Sequence, residues 1–347
     1  MGRLAVVNVV SGFLGSGKTS AIIAWLRGLA GERVCVLVNE FGMVDLDAGR
    51  VQAEAAGGSR PEVVEIPGGC ICCSSGAELV RHLQALADRD DVDRVLIEPT
   101  GLARAGEVVD LLEQPGLAGR LLRGPVVTLV DVRKIHRPPL SRMPLAAEQV
   151  EAADVLVGSF ADVAGVEDLE RFDGWAGGLY PPKLAIVRCG SDSVSVDLLN
   201  WPAEAGRSRA GGVGGAAGGV SGLVQLGGGA PGDGAEHLHG VVARGWTWAV
   251  DVVFELGAVM GLFEDLRQAR AGALLRAKGV FRCREGWARV ELAGGGADEP
   301  VQAHLSQHRR DSRLDVILAG ANPAGLAWLE GAVGRLGGMS RGPGVGG

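Results

Sequence analysis

A glycine-rich segment that also carries a lysine and a threonine lies near the start of the chain. The run from Gly12 to Thr19, GFLGSGKT, fits the pattern G-x-x-x-x-G-K-[ST], follows an apolar run and precedes a helical one. Glycines let backbone N–H groups curl around a phosphate, and the N-terminus of the next helix adds positive potential. A chance glycine-rich turn would lack this strand and helix context, so we predict a nucleotide phosphate site. Its residues would be Gly12, Gly15, Ser16, Gly17, Lys18, Thr19 and Ser20, with Lys18 reaching the β and γ phosphates and Thr19 ligating Mg²⁺.

Two later apolar runs end in acids that fit the same chemistry. Glu98 closes one run and is followed by Pro-Thr-Gly101, and Asp131 closes the next. Either acid fits the position next to Mg²⁺ or the attacking water, while an exposed strand-end acid is the alternative for each. Glu98 is favoured as the catalytic acid because Thr100-Gly101 resembles a turn that senses the γ-phosphate.

A cluster of three cysteines predicts a metal site. Cys70, Cys72 and Cys73 follow Pro-Gly-Gly between a predicted strand and a predicted helix. A helix N-terminus lowers the thiol pKa and favours the thiolate, and soft thiolates select Zn²⁺ or related ions. The spacing is too tight for a zinc finger, and a redox-active pair or inert core cysteines remain as alternatives. Cys35, Cys189 and Cys283 are scattered and are predicted to be buried small apolar residues.

Acids and histidines elsewhere offer weaker candidates. Glu40, in Asn-Glu-Phe-Gly after the second apolar run, is a candidate metal ligand or nucleotide sensor, or else a solvated loop acid; Asp47 lies a little further on. His237 and His239 have a spacing that could hold a metal weakly, but surface residues are the preferred interpretation.

The elements that would position these residues alternate along the first half of the chain. Continuous apolar runs predict strands in a sheet covered on both faces. Helical spacing lies between them, through Leu79, Val80, Leu83 and Leu86 and again over 108–112. This alternation predicts an α/β fold with a mostly parallel, doubly wound sheet. The predicted strands are Leu4–Val10, Val34–Val38, Val63–Ile66, Val95–Glu98, Val126–Val130, Val155–Val157 and Leu184–Val187.

A change in composition divides the chain. Between Gly206 and Ala235 there are 13 glycines, and such a segment cannot bury enough surface to offset its backbone entropy. We predict a nucleotide-binding domain over 1–195, a flexible linker over 196–238, a small α+β domain over 239–336 and a disordered tail over 337–347. In the second domain, a helical stripe over Val252–Ala277 and strands over Trp246–Val250, Val280–Cys283, Trp287–Leu292 and Leu314–Leu318 are expected.

Composition excludes several classes of protein. Of 347 residues, 47% are apolar, which is enough for a sizeable core, and the net charge of −7 argues against a broad surface for nucleic acid or anionic membrane. No apolar run approaches the roughly 20 residues that span a bilayer, and the N-terminus matches no secretory signal. We therefore expect a cytoplasmic protein with neither nucleic-acid nor membrane partners.

Taken in order, these motifs resemble those of the CobW-like P-loop GTPases. The resemblance covers the phosphate loop, Asn39–Gly42, the Cys-x-Cys-Cys motif and Glu98–Gly101, and Arg276-Ala-Lys-Gly279 is similar to a segment of the family's carboxyl-terminal domain. It implies a metallochaperone with GTP, Mg²⁺ and Zn²⁺ or Co²⁺, in which nucleotide hydrolysis gates delivery to a client metalloenzyme. A homodimer is included among these expectations.

The chain departs from the family in the segment that reads guanine. The family's Asn-Lys-x-Asp is here Ser159-Phe160-Ala-Asp162, so Asp162 matches the final acid while the Asn and Lys are replaced. Retention of Asp162 implies a remaining guanine preference with weaker affinity, and ATP is not excluded. Two other classes therefore stay open: a metal-binding protein whose NTPase has decayed, and a P-loop ATPase or small-molecule kinase.

Overall fold

The computed structural model describes residues 4–29, 31–39, 61–66, 76–137, 142–190, 193–200, 241–268, 273–293, 301–319, 323–336 and 339–340. The chain divides into two compact units, Met1–Ala203 and Glu204–Gly347. The first extends past the predicted domain end at residue 195, because a 3-10 helix over Val196–Leu199 buries Leu198 and Leu199 in its core. Most of the predicted linker lies outside the described residues.

A seven-stranded parallel sheet forms the centre of the first unit, with strand order β3-β2-β4-β1-β5-β6-β7. Its strands are continuous apolar runs because both of its faces are covered. The strand bounds are β1 Val6–Gly12, β2 Val34–Asn39, β3 Glu62–Ile66, β4 Arg94–Glu98, β5 Leu122–Asp131, β6 Val155–Ser159 and β7 Ala185–Arg188. These agree with the predicted strands to within two residues, except that β5 begins four residues earlier.

Helices pack on both faces of this sheet, as the doubly wound prediction requires. One face buries α1 with the fully buried Trp25, and the other buries apolar residues of α2 and α3, such as Leu83 and Val108. The helices are α1 Lys18–Gly28, α2 Gly76–Ala87, α3 Ala105–Leu112, α4 Pro144–Ala152 and α5 Val166–Gly177.

The strand order places three loops side by side. β1 lies between β4 and β5, and all three strands run in the same direction. Their carboxyl ends therefore lie at one edge of the sheet, which is where ligands bind in open α/β sheets. The loop from β1 to α1 is flanked there by Glu98, the last residue of β4, and Asp131, the last residue of β5.

The second unit contains a five-stranded antiparallel sheet of order β12-β11-β10-β13-β8. One face of that sheet packs against two helices, and in the core the ring of Phe281 packs edge-to-face against Phe254 and against Phe263. The elements are β8 Val241–Trp248, β9 Val252–Val253, α6 Leu256–Gln268, β10 Ala273–Cys283, β11 Gly286–Ala293, β12 Ala303–Leu305, β13 Ser312–Ala319, α7 Pro323–Gly334 and β14 Met339–Ser340.

The structure corrects two expectations for the second unit. The predicted helical stripe over Val252–Ala277 is too long, because its ends pair as strands: β9 pairs with β14, and β10 pairs with β11 and β13. Met339 and Ser340, within the segment predicted to be disordered, form β14. Both errors have one cause, since backbone pairing between distant segments is invisible to a local apolar period.

The predicted fold class is confirmed: a P-loop-type parallel sheet with helices on both faces, followed by a smaller α+β unit. Among the described helices, none is both long and apolar enough to span a bilayer.

Candidate functional site

The loop between β1 and α1 has a backbone that only glycine adopts without strain. Gly12, Gly15 and Gly17 have φ angles of 143°, 71° and 88°. A Cβ atom on Gly12 would lie 2.4 Å from the backbone oxygen of Leu129, well inside contact distance. Positive φ values and close backbone approach are the features that allow successive N–H groups to surround an anion.

Lys18 is held against the loop that it follows. Its Nζ atom donates to the backbone oxygens of Gly12, at 2.9 Å, and Phe13, at 3.3 Å. Burial lowers the pKa of Lys18, and the charge of Glu98 raises it in part. A buried ammonium within an anion-shaped loop is suited to bind phosphate oxygens.

Glu98 is a buried carboxyl group with an incomplete set of partners. Its Oε1 atom accepts a long hydrogen bond from Thr19 Oγ1, at 3.4 Å. Its Oε2 atom is buried without a hydrogen-bond partner among the described residues. Burial raises the pKa of Glu98 to about 7, while Lys18 and the Thr19 hydroxyl lower it in part. An unpartnered buried carboxylate beside a hydroxyl is the donor set that Mg²⁺ prefers.

Asp131, the second candidate acid, has its charge balanced from within its own turn. Arg133 donates to both of its carboxylate oxygens, at 2.9 and 2.8 Å, and Lys134 Nζ lies 3.2 Å from Oδ2. Burial raises the pKa of Asp131, but the hydrogen bonds from Arg133 and Lys134 outweigh it and hold the pKa below its ordinary value. The structure thus brings Glu98, and not Asp131, beside Lys18 and Thr19.

The turn that follows Glu98 touches the phosphate loop. A Cβ atom on Gly101 would lie 2.6 Å from Leu14 Cδ2 and 3.0 Å from the Leu14 backbone nitrogen. Ser16 is also buried here, and its Oγ atom has no hydrogen-bond partner among the described residues. The two loops are therefore packed closely enough that one ligand can contact both.

A pocket opens on the other side of the phosphate loop, where β6 and β7 end. Ser159 Oγ donates to the backbone oxygen of Ser16, at 2.7 Å. Phe160 has a positive φ of 60°, and the Arg133 guanidinium lies 4.5 Å from the centre of its ring. Asp162 borders this region beside Gly190, where a Cβ atom would lie 3.0 Å from its Cγ. The pocket is lined by Gly17, Ser20, Leu129, Ser159, Phe160, Cys189, Gly190 and Val194.

The nucleotide candidates are thus gathered at one edge of the sheet, and the candidate ligands for a cargo metal ion are not among the described residues. Glu40, Cys70, Cys72 and Cys73 fall outside the described residues, as do Asp47, His237 and His239. Within the described ranges, no group of three or more His, Cys, Asp or Glu residues is arranged to hold a metal ion.

The three scattered cysteines have the environment that the sequence predicts. Cys35, Cys189 and Cys283 are free and buried. Burial is the main cause that raises the pKa of each thiol, to about 12 for Cys35 and about 11 for the other two. They are therefore neutral core residues.

Sequence reasoning missed two residues of this region. Arg133, which holds Asp131 and stacks on Phe160, carries no motif. Gln149 donates to the turn after Glu98 from α4, and its only sequence signal is a polar residue on an otherwise apolar helix face.

The fold and the phosphate loop define a P-loop nucleotide-binding protein. The family model described as CobW/HypB/UreG, nucleotide-binding domain, matches residues 6–184, which is more than half of the chain. The chain belongs to this family, which confirms the predicted family and the predicted class, a P-loop GTPase.

Two relatives that match by sequence agree with this assignment. The chain is 31% identical over 327 residues to the zinc chaperone YeiR of Escherichia coli strain K12. The alignment covers 89% of this chain and 92% of that protein. It is 28% identical over 221 residues to the zinc chaperone CobW of Pseudomonas aeruginosa. That alignment covers 56% of this chain and 58% of that protein. The Zn(II)-bound YjiA GTPase structure from E. coli aligns over 96% of this chain and 99% of that one, at 19% identity and a TM-score of 0.44.

Proposed function

We propose that this chain is a GTP-dependent metallochaperone that carries Zn²⁺ or Co²⁺ on Cys70, Cys72 and Cys73, with Glu40 as a further ligand. Binding and hydrolysis of GTP would gate transfer of the ion to a client metalloenzyme. The observation that carries the proposal is the 31% identity to the zinc chaperone YeiR along nearly the full length of both chains.

The nucleotide half of the proposal rests on the residues at the edge of the sheet. Lys18 and the loop amides bind the β and γ phosphates, and Ser16 Oγ is a buried donor without a partner among the described residues. Thr19 and Glu98 fit a Mg²⁺ ion, since Glu98 Oε2 is buried and lacks a hydrogen bond. When bound there, Mg²⁺ would neutralise charge on the phosphate oxygens. Glu98 holds or accepts a proton close to neutral pH, which suits it to orient the attacking water.

The base preference follows from the second pocket. Asp162 is exposed beside Gly190, and its carboxylate would accept two N–H groups of guanine there. Ser159 Oγ is engaged with the phosphate loop, so it contributes no contact to the base in this arrangement. Phe160 supplies an apolar face in place of the lysine. We therefore propose GTP as the substrate, with a smaller margin over ATP than a full Asn-Lys-x-Asp segment gives.

The proposal requires that nucleotide changes metal affinity. The decisive measurement is a titration of Zn²⁺ and of Co²⁺ against a chromophoric chelator with GTP-Mg²⁺, GDP-Mg²⁺, ATP-Mg²⁺ or no nucleotide present. We expect the metal affinity with GTP to differ from that without nucleotide by at least about fivefold, the lower end of typical coupling between sites. Phosphate release from GTP and ATP is followed in parallel.

Three variants make this experiment specific. Lys18→Ala should remove the effect of nucleotide while leaving metal binding intact, and the double variant Cys70→Ser, Cys72→Ser should remove metal binding. Cys283→Ala removes a buried thiol of the second unit and serves as the matched control. Equal metal affinity in all nucleotide states would reject the coupling, and unchanged metal binding in the double variant would reject the cysteine site.

A further inference from the structure

Gln149 holds the turn after β4 from a neighbouring helix. It lies on α4 and is only 1% exposed. Its Nε2 atom donates to the backbone oxygens of Gly101, at 2.9 Å, and Ala103, at 3.0 Å. Both N–H groups of one side chain are therefore used on a single turn.

The orientation of this amide follows from its partners. The Oε1 atom of Gln149 is buried and has no hydrogen-bond partner among the described residues. Rotating the amide by a half turn would place this oxygen against two carbonyl oxygens, which cannot donate to it. Leaving a buried acceptor without a partner is unfavourable. The two hydrogen bonds to the turn therefore outweigh the cost of leaving Oε1 without one.

The backbone of Gln149 is attached to the central sheet. Its backbone oxygen accepts a hydrogen bond from Thr128 Oγ1, at 3.2 Å, and Thr128 is a fully buried residue of β5. This contact attaches α4 to the central sheet. Buried apolar residues of α4, such as Val150 and Ala152, also pack against the sheet. The sheet therefore sets the position of Gln149 Nε2, and loss of the Thr128 hydrogen bond alone leaves α4 in place.

The turn held by Gln149 is the one that meets the phosphate loop. Gly101 lies against Leu14, and Glu98 precedes the turn at the end of β4. Moving Gly101 by an ångström would change both its distance to the phosphate loop and the path of the chain after Glu98. A diphosphate, which has no γ-phosphate, would depend on this spacing less than a triphosphate.

We propose that Gln149 is a positioning residue that fixes the Gly101–Ala103 turn for discrimination between a nucleoside triphosphate and a diphosphate. This inference rests on the proposed nucleotide function but assigns it to a residue that touches neither phosphate nor metal. Its loss should weaken binding of the triphosphate and slow hydrolysis while leaving binding of the diphosphate almost unchanged.

The test is Gln149→Met in the full-length chain, which keeps the side-chain volume and removes both N–H donors. Affinities for GDP and for a non-hydrolysable GTP analogue are measured with fluorescent nucleotides, and single-turnover hydrolysis of GTP is followed. Two lost hydrogen bonds predict a fall of about tenfold in the ratio of analogue affinity to GDP affinity, and in the hydrolysis rate. Gln149→Glu, which also loses the amide donors, should behave in the same direction.

Thr128→Val is the matched control, since it removes the buried hydrogen bond on the other side of Gln149 without touching the turn. We expect Thr128→Val to lower the melting temperature as much as Gln149→Met does, with the affinity ratio of the wild type. An unchanged ratio in Gln149→Met, or an equal fall in both variants, overturns the inference. Absence of hydrolysis in the wild type would instead reject the proposed function, and the affinity ratio would still decide the role of Gln149.

Discussion

Replacing Glu98 by glutamine should stabilise the nucleotide-free protein while abolishing its hydrolysis. Glu98 is 5% exposed, and burial raises its pKa from the ordinary 4.5 to about 7. Between these two pH values the folded chain holds a proton that the unfolded chain has released. The free energy of unfolding therefore falls as the pH rises from about 4.5 to about 7.

The size of the effect follows from the same two values. A carboxyl pKa that moves from 4.5 to about 7 on folding corresponds to about 3 kcal/mol of unfolding free energy once the group is fully ionised. Glutamine has nearly the same shape, accepts the hydrogen bond from Thr19 and carries no charge. At pH 8, the free energy of unfolding of Glu98→Gln should therefore exceed that of the wild type by about 3 kcal/mol, which corresponds to a melting temperature roughly 6–12 °C higher. At pH 5.5, less than half of this difference should remain.

The assay is urea or thermal unfolding of metal-free, nucleotide-free protein at pH 5.5 and pH 8, followed by circular dichroism. Glu170→Gln makes the same chemical change at an exposed position of α5 and should leave the stability within about 0.5 kcal/mol of the wild type. A Glu98→Gln variant that is less stable than the wild type at pH 8, or a difference that does not change with pH, would refute the reasoning.

Three other variants test separate parts of the structure. Gly12→Ala places a Cβ 2.4 Å from the Leu129 oxygen, at a φ reserved for glycine, so fluorescent GDP should bind at least tenfold more weakly; wild-type affinity would contradict the loop geometry. Ser159→Asn with Phe160→Lys restores the guanine-reading pattern and should raise the preference for GTP over ATP by roughly tenfold or more in competition titrations. The reason is that hydrogen bonds to charged groups contribute roughly 1.5–3 kcal/mol each. An unchanged ratio of the two affinities would argue against this pocket as the base site. Gly279→Ala in the second unit places a Cβ 2.3 Å from the buried ring of Phe281. It should lower the melting temperature of that unit, measured by calorimetry, without changing the GDP affinity, measured by titration. Loss of GDP binding would contradict the assignment of nucleotide binding to the first unit.

The first unit was predictable because its signals are local. Each strand is a continuous apolar run, so its bounds follow from composition within a few residues. The phosphate loop is likewise a contiguous pattern whose glycines meet a backbone requirement at three positive φ angles. Structure that depends only on neighbouring residues can therefore be predicted from the sequence.

The parts that could not be predicted depend on contacts between distant residues. The apolar period that marks α6 continues into residues 273–277, but that segment pairs with β11 and β13, so tertiary pairing overrides helical spacing. The sequence favoured Glu98 over Asp131 because of the turn at Thr100-Gly101, but it gave no sign that Arg133 would pair with Asp131, which is decided by the geometry of the turn. Gln149 binds carbonyl oxygens 46 and 48 positions away, and no pattern along the chain indicates such a contact.

Two buried polar groups of this unit, which lack hydrogen-bond partners in the part of the chain that the structure describes, support the proposed binding of a phosphate together with a divalent ion. Ser16 Oγ and Glu98 Oε2 are both buried without a hydrogen-bond partner among the described residues. Ser16 lies in the loop after β1 and Glu98 at the end of the neighbouring strand β4, at the same edge of the sheet. Each such group costs about 1–3 kcal/mol when it stays unmet. The two groups require different partners. The Ser16 hydroxyl can donate to an anionic oxygen, and the Glu98 carboxylate can bind a cation. A phosphate with its divalent ion supplies both at once, whereas either component alone would leave one of the two groups unmet.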